Sequence, residues 1–471
     1  MDREEFKKHG YQFIDWIADY LEDLEKYPVS AKTRPGEIKR NLQDKIPEHG
    51  EDMEIIFKDF KEIIIPGMTH WQHPSWFAYF PANNSQPSIL AELLTAGMGA
   101  QCMSWQTSPA AAELEEVVME WLRKMLGLPE GMEGVIQDTA STSSLVALLS
   151  AREKATNFVS NQKGMTNDLV VYTSEEAHSS IEKGAKIAGY GKENIRLIPT
   201  ALNYAMIPPQ LENAIIRDKE RGLKPACVVA TVGTTSSGAL DPLLLIGKIC
   251  KYYDVWFHVD AAYAGLAAIL PEKKQILNGI EYADSFVFNP HKWMLTNFDC
   301  SAYFVKDKKI LLKTFEIHPE YLKTQMDAMV KNYRDWGIQL GRRFRALKLW
   351  FVLRYYGEEG LRKMVKEHIR LAQLFKGFIE AHDKFELMAP VDLSLVCFRL
   401  NDGRPEETMN LINKKFLDRI NQTGKLFLTS TNLKGKFVLR FVVGSRTTGE
   451  VHVRAAWEQI MKTGEDILSK M

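Results

Sequence analysis

A lysine and an aspartate set the chemistry open to this chain. Lys292 stands in Asn289-Pro290-His291-Lys292-Trp293, and upstream an apolar run closes on His258-Val259-Asp260-Ala261-Ala262. A lysine amine condenses with an aldehyde to a Schiff base, and a buried aspartate keeps a pyridine nitrogen protonated. Each has a bland alternative: an Asp after an apolar strand is often only a helix cap, and a Lys after Pro-His is usually solvated. Together they read as the core of a pyridoxal-phosphate site. Pro290 restrains Asn289 to extended geometry, so that Asn289 and His291 can face the cofactor. A buried Asp260 must be paired, and a pyridinium N–H is a suitable partner. Ala261 and Ala262 are small enough for a flat ring to approach closely.

Such a site also needs a phosphate cradle, a ring stacker and a substrate pocket. Thr139-Ala140-Ser141-Thr142 precedes the helical run Leu145-Val146-Ala147-Leu148-Leu149. Free N–H groups and hydroxyls at a helix start bind phosphate, although Ser/Thr caps are common everywhere. Thr234-Thr235 after Gly233, at a strand end, is an equally weak signal alone. His178 in Ala177-His178-Ser179-Ser180 reads either as a surface histidine or as a stacker on the pyridine face. Trp71, Trp76, Phe77, Tyr79 and Phe80 are punctuated by Pro74 and Pro81, so they form a loop rather than a helix face, and an aromatic-lined substrate pocket fits them.

The elements that must position these residues follow from the apolar pattern. Leu169–Tyr172, Cys227–Val232, Val255–Val259 and Ser285–Phe288 are apolar on both faces, as buried parallel strands are. Helix-length segments separate most of them, which predicts an α/β doubly wound sheet with a site at the carboxyl ends of its strands. Residues 1–80 predict a helical arm. Ile14, Ile17, Leu21 and Leu24 make one apolar stripe, and a second helix runs from Ile55 to Ile65 and stops at Pro66-Gly67. So short an arm needs a surface to cover, and packing on a partner subunit is preferred to packing on its own. Residues 81–350 form the large cofactor domain. Residues 351–471 form a smaller α+β domain, with a helix marked by Leu361, Val365, Ile369, Ala372, Phe375 and Ile379 and strands at Leu393–Leu400 and Lys436–Val443.

Bulk composition narrows the class. The chain has 471 residues, 45% hydrophobic and 25% charged, and its 60 basic and 60 acidic residues cancel, so no nucleic-acid partner is implied. Its five scattered cysteines show no metal-ligand spacing, which argues against bound metal and for a cytoplasmic protein with reduced thiols. A charged start, Met-Asp-Arg-Glu-Glu-Phe, is neither a signal peptide nor a lipidation site, and no run has the length of a membrane span.

Gln137–Leu149, Ala177–Ser180, His258–Gly265 and Asn289–Trp293 resemble the group II pyridoxal-phosphate-dependent decarboxylases. Trp71–Pro81, Ser104-Trp105 and Gly341-Arg342-Arg343-Phe344-Arg345 narrow the resemblance to the aromatic-L-amino-acid decarboxylases, over nearly the whole chain. The resemblance implies a fold-type I homodimer with a mainly parallel seven-stranded sheet and an active site at the subunit interface. It makes Lys292 the Schiff-base lysine, Asp260 the pyridinium partner and His178 the stacking histidine. Ala140, Ser141 and Asn289 match phosphate-side residues, and Thr235 and Ala262 match other cofactor contacts. Tyr321, in His318-Pro319-Glu320-Tyr321-Leu322-Lys323, matches a catalytic-loop tyrosine that protonates Cα. Trp71, Tyr79, Phe80, Pro81 and Met103 match the substrate pocket.

The chain departs from animal members in places. Ala82 stands where they often carry threonine, Gln101-Cys102-Met103 replaces an Ile-Gly-Phe stretch, and the loop after Tyr321 is slightly shorter. The implied reaction is decarboxylation of an aromatic L-amino acid to its arylalkylamine and CO₂. An aromatic aldehyde synthase is the alternative on the same scaffold; that branch carries phenylalanine at the Tyr321 position, so Tyr321 favours simple decarboxylation. The aromatic loop at Trp71–Phe80 argues against a glutamate decarboxylase. Ser394 stands where plant relatives tend to carry serine for phenolic and glycine for indolic substrates, which favours tyrosine or dopa, unless it is only a strand serine bonded to backbone.

Overall fold

The apolar runs become the middle of a seven-stranded sheet. Its strands are β1 (Glu133–Gln137), β2 (Leu169–Ser174), β3 (Ile195–Ile198), β4 (Lys224–Thr231), β5 (Trp256–Asp260), β6 (Ser285–Phe288) and β7 (Ser301–Val305). The structure, a computed structural model, describes residues 1–42, 45–165, 168–317 and 329–470. The order across the sheet is β1-β7-β6-β5-β4-β2-β3. The pairs from β3 to β6 are parallel, whereas β7 lies antiparallel between β6 and β1. Strands β2, β5 and β6 are buried at every residue, as their mainly apolar sequence favours.

The winding direction fixes where chemistry can sit. Successive strands β4, β5 and β6 step toward one edge, whereas β2 to β3 steps toward the other. The reversal falls between the neighbours β2 and β4, and a crevice opens beyond the carboxyl ends of strands at such a point. Both strands end there in a buried hydroxyl, Ser174 and Thr231, with no hydrogen-bond partner. Thr231 is in register with Asp260, the last residue of β5.

Polar contacts beneath the crevice hold the layers in place. His258 is fully buried on β5. Its Nδ1 is 2.9 Å from the Ser285 hydroxyl of β6 and its Nε2 3.3 Å from the Ser144 hydroxyl of helix Ala140–Ala155. The Trp256 indole N–H donates to the same Ser285 oxygen at 2.9 Å. The sheet's β1 edge is fastened by a buried ion pair. Glu115, on helix Pro109–Leu126, meets Arg342 at 2.7 Å. Glu115 also accepts the Ile136 N–H at 2.8 Å, and Arg342 donates to the Ile136 carbonyl at 2.8 Å.

The chain divides into two compact units. One holds Ala82–Lys376 and Leu387–Cys397, and the other holds Met1–Pro81, Gly377–Glu386 and Phe398–Met471. In the second, helix Arg3–Glu22 opens on a capping box: the Asp2 carboxylate accepts the Glu4 and Glu5 N–H groups, and the Glu5 carboxylate accepts the Asp2 N–H. Leu21 is buried, whereas Phe6, Tyr11 and Ile14 are exposed. The second predicted helix forms as Met53–Asp59, continues through a π turn at Phe60–Ile64, and ends at Ile65–Gly67. The predicted C-terminal strands become β9 (Leu395–Leu400) and β11 (Lys436–Val442) in a four-stranded sheet of order β10-β11-β9-β8, with β8 at Phe385–Leu387 and β10 at Thr429–Leu433. Among the described residues no helix is long and apolar enough to cross a membrane.

Two outcomes follow from the buried polar contacts. Glu115→Ala leaves Arg342 as an uncompensated buried cation, so unfolding free energy should fall by about 3–5 kcal/mol in urea titration; a loss below about 1 kcal/mol would mean the pair is dispensable. Burial pushes His258 from 6.5 down to about 4. The unfolded chain therefore takes up a proton that the fold refuses. The stabilisation is complete above about pH 6.5 and drains, at about 1.4 kcal/mol per pH unit, as pH falls toward 4. His258→Gln lacks this loss, so the stability gap between the two proteins should narrow between pH 6.5 and 5, and parallel pH profiles would refute it.

Candidate active site

The short helix Pro290–Trp293, directly after β6, carries Lys292. Its backbone is strapped from a distant segment. The Asn83 amide donates to the Lys292 carbonyl at 2.8 Å, the Asn83 N–H to the His291 carbonyl at 3.1 Å, and the Ser85 hydroxyl to the Leu295 carbonyl at 2.7 Å. His291 is buried, and its Nδ1 accepts the Cys300 N–H at 2.9 Å. Burial pushes its pKa down to about 3, so the ring is neutral and one of its nitrogens serves the backbone. Asn289 is bound through its own N–H to the Ala262 carbonyl at 2.9 Å, while its buried side-chain oxygen has no hydrogen-bond partner.

Asp260 ends β5 only 5% exposed, and its Oδ1 accepts the Ala262 N–H at 3.0 Å. The turn after β4 presses on the same region. Gly233 has φ +83°, and a Cβ there would lie 2.5 Å from the Ala264 Cβ. Only glycine fits, and Thr235 follows two residues on. His178 caps the helix Ser179–Ile187 with its own ring: Nδ1 accepts the Ser180 N–H at 3.2 Å. A neutral His178 therefore carries its proton on Nε2. Its pKa is lowered, first by burial of part of the imidazole; the Asp260 carboxylate opposes this and the Lys292 ammonium adds to it. The fold thus brings His178 within electrostatic reach of Asp260 and Lys292, both far from it in sequence.

The helix that begins at Ala140 and Ser141 has no side-chain cap at Thr139, and Ser141 is exposed. Its first N–H groups are available to an anion. The Met103 carbonyl accepts the Arg334 N–H at 2.9 Å, and the Gln101 side chain accepts the Arg342 N–H at 2.8 Å. Ser394 lies in the bend just before β9 rather than within it. It is fully buried, with its hydroxyl paired to that of Tyr263 rather than to backbone. In the other unit, Trp71 and Tyr79 stack at 5.5 Å and 17°, both exposed. Phe80 lies under the Arg440 guanidinium at 5.3 Å, and Pro81 packs where Gly444 leaves room. Tyr321 lies outside the described residues.

These features suit a flat phosphorylated pyridine aldehyde. An uncapped helix start meets the charge of a phosphate. Flipping the Asn289 amide would turn its unpartnered end into a donor. Asp260 offers a buried carboxylate to a ring nitrogen, and Lys292 an amine to the aldehyde. Sequence reasoning missed Asn83, which braces the lysine turn, and the unpartnered Ser174 and Thr231 hydroxyls. A hydroxyl closing an apolar strand was the available signal for the latter two.

Comparison with known proteins places this geometry. The pyridoxal-dependent decarboxylase conserved domain matches residues 35–401. The chain is 45% identical to phenylacetaldehyde synthase of Arabidopsis thaliana, covering 100% of this chain and 98% of that one. It is 44% identical to aromatic-L-amino-acid decarboxylase of Rattus norvegicus, covering 99% of each. The crystal structure of Oryza sativa TDC with PLP and tryptamine superposes with a TM-score of 0.96 at 37% identity over 99% of both chains. The fold is that of the fold-type I pyridoxal-phosphate decarboxylases, and the chain belongs to the pyridoxal-dependent decarboxylase family as a pyridoxal-phosphate-dependent carboxy-lyase of its aromatic amino acid decarboxylase and aldehyde synthase branch.

Proposed function

We propose that this enzyme converts an aromatic L-amino acid to its arylalkylamine and CO₂, with tyrosine or dopa favoured over tryptophan or 5-hydroxytryptophan. The observation that carries the reading is the placement of His178 after β2, Asp260 at the end of β5 and Lys292 after β6, with an uncapped helix start after β1, all on strands of one sheet. When bound, pyridoxal phosphate supplies a protonated ring that accepts the electron pair of the breaking Cα–carboxylate bond. Lys292 would provide the amine that holds the cofactor's aldehyde. Asp260 holds the proton on the ring nitrogen. Ala140, Ser141 and Asn289 hold the phosphate, with Thr235, Ala262 and His291 as further contacts. His178, whose Nδ1 is taken by the Ser180 N–H, would stack on the ring with its proton on Nε2. Tyr321 returns a proton to Cα. Trp71, Tyr79, Phe80, Pro81 and Met103 offer surface to the substrate's aromatic ring.

Several observations support the wider setting. Leu90, Leu93, Leu94 and Met98 are exposed on the helix Gln86–Met98, as are Phe6, Tyr11 and Ile14 on the first helix. Apolar surface of this kind suits a homodimer with residues 1–80 as its dimerisation arm and the active site at the subunit interface. All five cysteines are buried free thiols, which suits a cytoplasmic protein. Decarboxylation with oxidative deamination to an aldehyde is the second reading, since phenylacetaldehyde synthase is as similar, at 45% identity, as the decarboxylases. Turnover of a panel of aromatic amino acids, with CO₂, amine and hydrogen peroxide measured together, decides between them. Equal CO₂ and amine without peroxide is expected, and stoichiometric peroxide would favour the aldehyde synthase.

Two substitutions test the assignments. Asp260→Asn should weaken cofactor binding and lower kcat by roughly 10²-fold or more, by analogy with other electrostatic stabilisers; near-normal kinetics at saturating cofactor would remove the role. Ser394→Gly should raise kcat/KM for tryptophan relative to tyrosine or dopa. A site that binds a substrate hydroxyl discriminates more strongly than apolar fit, which gives roughly 1–3 kcal/mol per methylene. An unchanged ratio would shift attention to the Gln101–Met103 wall.

A further inference from the structure

Trp293 is the immediate neighbour of Lys292, and it is fully buried. A buried indole N–H requires an acceptor. His368, on the helix Arg345–Glu380, supplies one: the Trp293 Nε1–H donates to His368 Nδ1 at 2.8 Å. The two rings are nearly coplanar in orientation, 5° apart with centroids at 6.3 Å. Trp293 also stacks on Tyr263, at 4.6 Å and 16°. Tyr263 follows Asp260 by three residues, and its hydroxyl is held by Ser394.

We propose that His368 is a positioning residue for Lys292, acting through Trp293. The indole joins the segment after Asp260 to the segment bearing Lys292, and His368 fixes its rotation. Turning Trp293 about its side-chain bonds would bury an unpaired N–H and lose the stack, which is costly in a dry interior. Lys292 and Trp293 share a peptide plane, so locking one side chain sets the backbone from which the other departs. Asn83 braces the same turn at the Lys292 carbonyl. The lysine amine and the Asp260 carboxylate are thereby kept at a constant separation. Accepting at Nδ1 places the neutral His368 proton on Nε2, so an acceptor without a charge is what the position needs. This inference rests on Lys292 being the cofactor lysine.

The test compares His368→Leu, His368→Asn and Trp293→Phe in holoenzyme. Leu removes the acceptor, Asn restores one where Nδ1 stood, and Phe keeps the stack but deletes the donor. Expected for His368→Leu and Trp293→Phe is a kcat loss of roughly ten- to a hundredfold with KM nearly unchanged, since small misplacement of a reacting group has that effect. The visible circular dichroism of the bound cofactor should weaken in both. His368→Asn should recover both signals, and the double variant should be no worse than either single one. A folded His368→Leu with normal kcat and normal dichroism overturns the proposal, as does an Asn variant no better than Leu. If His368→Leu does not fold, Trp293→Phe decides alone, and normal dichroism there overturns it. Lys292→Ala, run alongside, should lose the lysine-linked absorbance entirely; if it does not, the role of Lys292 fails, whereas a normal His368→Leu beside a silent Lys292→Ala removes only His368.

Discussion

A parallel strand buried on both faces can present chemistry only where it stops. Its sides are committed to packing and its backbone to the ladder, so polar function is confined to the carboxyl-end turns. In this chain every proposed cofactor residue lies in such a turn or at a helix start. Asp260 closes β5, Lys292 follows β6, Thr235 follows β4, and His178 follows β2. The winding reverses between β2 and β4, and these two strands end in the buried, unpartnered hydroxyls of Ser174 and Thr231. His178, in the turn after β2, feels the opposed charges of Asp260 and Lys292.

The supporting contacts are as specific as the site. His258 couples β5 to the helix at Ala140 through Ser144 and to β6 through Ser285, so the proposed phosphate and ring-nitrogen ends of the crevice share one buried hydrogen-bond path. Both of its ring nitrogens are spoken for, and burial keeps it neutral. Asn83 and Ser85 brace the lysine turn from a segment 209 and 210 residues upstream of the carbonyls they bind. Trp293 extends the same scheme toward Tyr263 and His368. Polar groups in a dense interior are fixed only when each has its partner, and a site built on them inherits that rigidity.

Ser394 is fully buried and engaged by Tyr263, so any preference for a phenol has to act through that pair or through the space the serine leaves. The aromatic loop from Trp71 to Pro81 is punctuated by proline and held within its own unit, by the Phe77 N–H to the Phe427 carbonyl and the Val442 N–H to the Phe77 carbonyl. It keeps Trp71 and Tyr79 exposed, which suits rings that meet a ligand or a second subunit.

The strands β2, β4, β5 and β6 were legible in the sequence because burial on both faces leaves a local mark, an unbroken apolar run. The same holds for the lysine and the aspartate, whose neighbours Pro290 and Ala261-Ala262 state the local geometry they need, and for the helical start at Thr139. Strands β1, β3 and β7 were not legible. β3 is partly exposed at an edge, β1 contains Gly134 packed against Phe304, and β7 owes its place to an antiparallel slot between β6 and β1. Pairing order is a contact between distant segments and leaves no local pattern. Tertiary structure alone decided that residues 1–81 and 398–471 share one unit, that Ser394 meets a tyrosine hydroxyl, and that His178 feels both Asp260 and Lys292. Residue type fixes what a group can do, but its partner and its charge depend on what the folded chain brings within a few ångströms of it.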